Sequence, residues 1–172
     1  MTPSTCPACG RLETAATLDK GRHRYLVCGS CGTASLESGK EDADYEAGYF
    51  TRGDSAGYFD YDADRRLHLE TAHRRLHSAE HVTPDLARVV DLGAALGFTL
   101  QAARSRGSEA VGVEVSKYAT GRLQEAGYEV HRSLAELPPA EFDAVLFGQV
   151  LEHMPDPDRA AVEALRPEGG LY

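Results

Sequence analysis

The run VVDLGAALGFTLQAARSRGSEAVGVEVS, residues 89–116, constrains this chain more than any other stretch. Val89 and Val90 lead into Asp91-Leu92-Gly93, and a short turn through Ala94, Ala95, Leu96 and Gly97 opens a helical segment. A second β-branched strand, AVGVEV, then ends at Glu114-Val115. Strand, glycine turn, helix and strand in this order predict a parallel βαβ unit of a doubly wound α/β domain. Glycines let the turn backbone approach a ligand, and the free amides at the helix start face it. The carboxylate of Glu114 falls where it can accept the hydroxyl protons of a ribose. The pattern is D-x-G-x-A-x-G, without the G-x-G-x-x-G order of dinucleotide enzymes and without Gly-Lys-Ser/Thr for a phosphate cradle, so it suits a nucleoside rather than a triphosphate.

The segments that follow extend the same architecture. GYEVHRSL predicts a third strand near 128–131, and FDAVLFGQVLEHMPDP a fourth, bounded by Asp143 and Phe147. Ser116 is placed to cap the helix after the second strand, while Gly107 and Gly127 end helices. Ligands of an open parallel sheet lie outside the carboxyl ends of the strands where the winding reverses; the family resemblance given below implies that this is between the first and fourth strands. The expected fold class is α/β: a Rossmann-like doubly wound parallel sheet, partial and lacking its last strands as the family resemblance given below implies, preceded by a small zinc-ribbon module. Residues 1–40 form that module, 41–86 an aromatic and glycine-rich linker with an amphipathic helix, and 87–172 the ligand-binding domain.

The ordered set DLGAALGF, VGVEVSKYA, FDAVLFGQVLEHMPDP and RPEGGLY resembles the class I S-adenosylmethionine-dependent methyltransferases. Cys-Pro-x-Cys-Gly, the second Cys-x-x-Cys-Gly and the YEAGYF…GYFDY segment resemble the subgroup with an N-terminal zinc ribbon. The resemblance implies S-adenosylmethionine as cofactor, with Asp91, Gly93, Ala94 and Gly97 at its methionine end. It further implies Glu114 and Val115 at the ribose, Ser133 and Leu134 at the adenine, and Phe147 and Gln149 towards the methyl group. Phe147 and Leu151 read equally well as core. For a hydroxyl acceptor His153 is the candidate base, and the alternative is an imidazole that braces the Glu-His-Met-Pro turn. Three departures from the family pattern stand out. Ala95 occupies a place where glycine is expected; the segment between Asp156 and Tyr172 is short, with Glu168 interrupting its Pro-Gly-Gly turn; and the closing strands are absent. The expectation is a truncated enzyme, a chain completed by a homodimer partner or another polypeptide, or a remnant that binds without turnover.

All four cysteines lie near the start, as Cys6-x2-Cys9 and Cys28-x2-Cys31 separated by 18 residues. Each pair folds a turn that aims two thiolates at one point, and four thiolates fill a tetrahedral shell, so the spacing predicts a closed, structural zinc site. A disulfide pair or a redox dithiol is the alternative. A redox motif, however, needs only one Cys-x-x-Cys, and no secretory segment is read. TLDKGRHRYLV between the pairs predicts a hairpin turning at Asp19-Lys20-Gly21.

Tyr45, Tyr49, Phe50, Tyr58, Phe59 and Tyr61 alternate with Gly48, Gly53 and Gly57 in a segment that either closes over a ligand or docks the ribbon onto the main domain. From Asp62 to His81 the chain reads as a helix, with Leu69, Ala72, Leu76 and Ala79 on one stripe and Arg65, Arg66, Arg74 and Arg75 mostly off it. His73, His77 and His81 recur every fourth residue. Without a third-ligand motif they read as a solvated face rather than a metal site, with Glu70 and Arg74 as an i,i+4 pair.

With 172 residues and 42% hydrophobic content the chain can bury one modest core, and no transmembrane or signal segment is read, so a cytoplasmic location without membrane partners is expected. Its net charge of −9 argues against nucleic acid as a partner. The expected activity is methyl transfer to a small-molecule or biosynthetic-intermediate acceptor. A zinc-ribbon adaptor without catalysis, and an RNA methyltransferase reading through Lys20, Arg22 and Arg24, are the rivals.

Overall fold

The computed structural model describes residues 5–21, 23–37, 47–51, 61–137 and 142–154. The chain divides into two compact units, residues 1–40 with 151–162 and residues 41–150 with 163–172.

The first unit carries an antiparallel sheet of order β1-β2-β3, from β1 (Thr14–Lys20), β2 (His23–Cys28) and β3 (Ala34–Leu36). β1 and β2 form the expected hairpin, but Asp19 and Lys20 stay in the ladder opposite Arg24 and His23. The reversal therefore follows Lys20, and Gly21 takes a left-handed φ of 61°. β3 was not anticipated. It is three residues long, too short to show an alternation, and is held by pairing Tyr25 with Leu36 and Val27 with Ala34.

In the second unit, α1 (Ala47–Phe50) and α2 (Arg65–Glu80) precede an all-parallel sheet. Its strands are β4 (Arg88–Leu92), β5 (Glu109–Val113), β6 (Glu129–His131) and β7 (Ala144–Phe147), in the order β6-β5-β4-β7. β4 pairs Val90 with Val111 of β5 and with Val145 of β7. The strand order therefore reverses at β4, as the family resemblance implies. α3 (Phe98–Ser105) and α4 (Lys117–Glu125) are the crossovers. Ser116 caps α4, its hydroxyl accepting the Ala119 N–H at 3.2 Å, and Gly107 and Gly127 follow α3 and α4 with φ of 88° and 75°.

Two apolar clusters fix the layers. Ala72 and Leu76 of α2 pack with Leu86, Val89, Ala102 and Ala103, and Ala94, Leu100 and Leu123 form the second group. The stripe read from the sequence on α2 is thus its buried face, although the helix runs from Arg65 to Glu80 instead of Asp62 to His81. The Glu70 carboxylate pairs with Arg66 at 2.9 Å, whereas Arg74 donates to the Glu70 carbonyl oxygen; the expected Glu70–Arg74 ion pair is replaced by one facing the other way along the helix. Phe50 stacks on Tyr118 at 5.8 Å and meets Tyr61 edge-on at 5.6 Å, so the described part of the aromatic segment packs within the parallel unit. Tyr45, Tyr58, Phe59, Glu168 and the segment 155–172 lie outside the described residues.

Candidate functional site

A cavity opens at the carboxyl ends of β4 and β7. It is lined by Asp91, Gly93, Ala94 and Ala95 from the turn after β4, Phe98 and Thr99 from the start of α3, Gly148 and Gln149 after β7, and Tyr61, His68, Thr71 and Arg75 from the α2 side. Gly93 takes φ 75°, and a Cβ there would stand 2.9 Å from Val150 Cγ2, so both the turn conformation and the space demand glycine. Ala95 (φ 48°) and Gln149 (φ 62°) also hold left-handed backbone. Both line the cavity, and strained residues of this kind gather at sites where geometry outweighs local comfort.

Glu114 is 6% exposed and both its oxygens are committed to backbone. Oε2 accepts the Ala95 N–H at 2.7 Å and Oε1 the Ser116 N–H at 2.8 Å. The carboxylate thereby ties the turn after β4 to the turn after β5, and its remaining lone pairs are available to further donors. Burial pushes its pKa up, opposed by the amides of Ser116, Ala95 and Val115. Asp91, wholly enclosed, is pushed up to about 7 by burial, opposed by the Thr99 side chain and the Arg75 charge and reinforced by Glu114. His68 is held below its ordinary value by burial, with Arg75 adding to the effect and Asp64 opposing it, which favours a neutral imidazole. Its ring lies parallel to those of Tyr61 and Phe98, at 4.2 and 5.2 Å between centroids.

Of the residues singled out in the sequence, Asp91, Gly93, Ala94 and Gln149 line this cavity. Glu114 reaches its wall through Ala95. Gly97, expected to touch a ligand, instead faces α4: with φ 81° it caps α3, and a Cβ there would run into Leu123 Cδ2. Val115 follows β5, half-buried, and Ser133 precedes a 3-10 turn, Leu134–Glu136, after β6. Phe147 ends β7, paired with Leu92. His153 closes a 3-10 turn, Leu151–His153, and is not among the cavity's lining residues. Sequence reasoning passed over His68, Thr71, Arg75, Phe98 and Thr99. A signal existed for three of them, since 68, 71 and 75 form an i, i+3, i+7 stripe beside the apolar one. Arg75, read with the other arginines as mostly off the apolar stripe, is half-buried in the cavity.

In the first unit the four cysteine sulfurs lie within 4.8 Å of one another. Cys6 Sγ is 3.7 Å from Cys31 Sγ and Cys9 Sγ 3.6 Å from Cys28 Sγ, too far for disulfides. A tetrahedral ion with bonds of about 2.3 Å to sulfur needs sulfurs about 3.8 Å apart, and the cluster fits it. The two knuckles share one backbone pattern. The Cys6 N–H donates to the Arg11 carbonyl and the Gly10 N–H to that of Cys6; the Cys28 N–H donates to the Thr33 carbonyl and the Gly32 N–H to that of Cys28. Gly10 and Gly32 match as well, at φ 69° and 74°. The Thr33 hydroxyl and N–H lower the Cys31 thiol to about 6, favouring thiolate. Among the described residues no other group of His, Cys, Asp and Glu converges in this way, and the His73, His77, His81 series forms none.

Residues 90–171, just under half of the chain, match the family described as a methyltransferase domain. A ubiquinone biosynthesis O-methyltransferase of Idiomarina loihiensis is 32% identical over 98 residues, 49% of this chain and 40% of that protein. An uncharacterized methyltransferase of a Mycobacterium species is 39% identical over 101 residues, 55% of this chain and 40% of the relative. The chain thus spans about two-fifths of the length of these curated relatives. The solved structure of a plantazolicin methyltransferase in complex with SAH superposes with a TM-score of 0.50 at 11% identity, over 59% of this chain and 43% of that one. The parallel unit has the Rossmann-like fold of the methyltransferases. The family model and these relatives carry the name methyltransferase, and the solved neighbour shares the fold.

Proposed function

We propose that the parallel unit binds S-adenosylmethionine at the carboxyl ends of β4 to β7 and passes its methyl group to a small-molecule or biosynthetic-intermediate acceptor. The observation that carries this reading is Glu114, whose carboxylate is fixed between the Ala95 and Ser116 amides beside the Gly93 turn. A carboxylate so held is prepared to accept ribose hydroxyls without further ordering. When bound, the cofactor supplies a methyl group on a sulfonium. Asp91, Gly93 and Ala94 bound the amino-acid end, Gly97 holds the turn in shape, Glu114 and Val115 meet the ribose, and Ser133 and Leu134 border the adenine. Phe147 and Gln149 lie towards the reacting end. Alignment is the main demand on these residues, because in-line displacement gains most from pre-set geometry. The curated relatives named for O-methylation in ubiquinone biosynthesis support a small biosynthetic acceptor. The four cysteines of the first unit would hold a structural zinc ion, which leaves no open position for chemistry.

Calorimetric titration with S-adenosylhomocysteine tests the cofactor reading. Glu114→Ala should weaken binding by about 1–3 kcal/mol through loss of a charge-assisted partner to the ribose. NADH should not compete. Equal affinities for the variant and the parent would remove Glu114 from the site.

A further inference from the structure

The two cysteine knuckles of the first unit share a backbone pattern but not a composition. Between its cysteines the first carries Pro7 and Ala8, the second Gly29 and Ser30. The ring of Pro7 fixes its own φ, so the first knuckle is stiff from within. Gly29 is not among the chain's left-handed residues, so the turn does not require glycine there, and the second knuckle gains backbone freedom instead of rigidity. What holds it comes from outside. Glu13, immediately before β1, makes two links to it: its carbonyl oxygen accepts the Gly29 N–H at 2.9 Å, and its carboxylate accepts the Ser30 hydroxyl at 2.9 Å. The first knuckle can form neither link, because Pro7 lacks the N–H and Ala8 the hydroxyl.

The missing side chain of Gly29 makes the room. A Cβ there would stand 2.9 Å from both Cδ and Oε1 of Glu13 and 3.0 Å from its Cγ, so the carboxylate lies directly over bare backbone. Groups that hold a metal's ligands from behind keep them aimed, and losing one costs about 10- to 100-fold in affinity or activity. We propose that Glu13 is the positioning residue of the second knuckle, clamping Gly29 and Ser30 so that the Cys28 and Cys31 sulfurs stay aimed at the ion they share with Cys6 and Cys9. The clamp rests on zinc as the ion of the four cysteines. It works by hydrogen bonding and shape, since four thiolates around a divalent ion carry net negative charge, which a further anion opposes. Glu13, Gly29 and Ser30 are all exposed, which sets the effect at the lower end of that range.

The full chain, purified with zinc under reducing conditions, can be challenged with an excess of chromogenic chelator and the rate of zinc release followed by absorbance. Glu13→Ala should release zinc about tenfold faster than the parent. Glu13→Gln, whose amide oxygen still accepts the Ser30 hydroxyl, should stay within about twofold of it. Ser30→Ala removes the same link from the other side and should match Glu13→Ala, with no further gain in the double variant. Gly29→Ala should also match it by pushing the carboxylate aside, yet add nothing to a chain already carrying Glu13→Ala. In the presence of chelator, iodoacetamide should mark Cys28 and Cys31 of Glu13→Ala ahead of Cys6 and Cys9, read by peptide mass mapping; a general loss of stability would mark all four together. Parent-like release from Glu13→Ala, equal release from Glu13→Gln and Glu13→Ala, or even labelling of the four cysteines overturns the clamp while leaving zinc in place. A parent chain that neither carries zinc nor takes it up breaks the zinc reading itself, and the clamp falls with it.

Discussion

Among the described residues between 5 and 37, only Cys6 and Cys28 are buried, and every residue of β1 is exposed, Leu18 at 55%. In β4 of the parallel unit, Val89, Val90, Asp91 and Leu92 are all buried, and Leu76, Leu100 and Leu123 are closed off from solvent around it. The parallel unit carries its stability as apolar burial, at roughly 1.5–3 kcal/mol for each fully enclosed Leu or Val. The first unit has almost no such reserve, and its ladder of backbone bonds converges on four sulfurs. The zinc ion proposed for those sulfurs would supply the folding energy that a small module without an apolar core lacks. The two units should therefore fail under different insults.

The largest expected effect follows from that contrast. Chelation, or Cys28→Ser, should unfold the first unit and leave the parallel unit standing, because structural zinc contributes on the order of 10 kcal/mol to such a fold. Elemental analysis of the purified chain should find one zinc per monomer. Finding none, with disulfides in place of free thiols, would break the comparison, as would a parallel unit that melts together with the first on chelation.

An effect of middle size belongs to the parallel unit alone. Asp91 ionises near 7 in the folded chain against an ordinary 3.8, so the unfolded chain gives up this proton first. Stability should fall as pH rises from about 4 to about 7, by up to about 4 kcal/mol from this group. Glu114, also raised by burial, adds to the fall in the same direction. Asp91→Asn should flatten much of that fall and be more stable than the parent at pH 8. Urea unfolding at pH 5 and pH 8 measures it, and a parent that is equally stable at both would show that Asp91 is not held in its protonated form.

The smallest effect sharpens the account of the cavity turn. Ala95 sits at φ 48°, where an L side chain costs about 1–2 kcal/mol and glycine almost nothing, so Ala95→Gly should raise stability by about 0.5 kcal/mol after the added freedom of the unfolded chain is subtracted. A lower melting temperature in Ala95→Gly would mean that the methyl group packs better than its backbone suffers.

Much of this was legible without coordinates. The β-branched runs and glycine punctuation of residues 89–147 mark four strands of a parallel sheet, and their order of winding came from the family resemblance. The paired Cys-x-x-Cys spacings likewise announce two knuckles aimed at one point, a local geometry set by a few bonds. Tertiary structure alone decided which side chains face the cavity. Gly97 lies against Leu123 because α4 returns to that spot, and Arg75 turns inward because Gly148, more than 70 residues later, leaves it room. Asp91 and Glu114 are acids in any reading of the sequence, but their resistance to ionisation comes from enclosure by segments distant in the chain. Local order follows from backbone and side-chain preferences over a few residues, whereas burial, charge balance and the fit of one side chain against another exist only once distant segments are brought together.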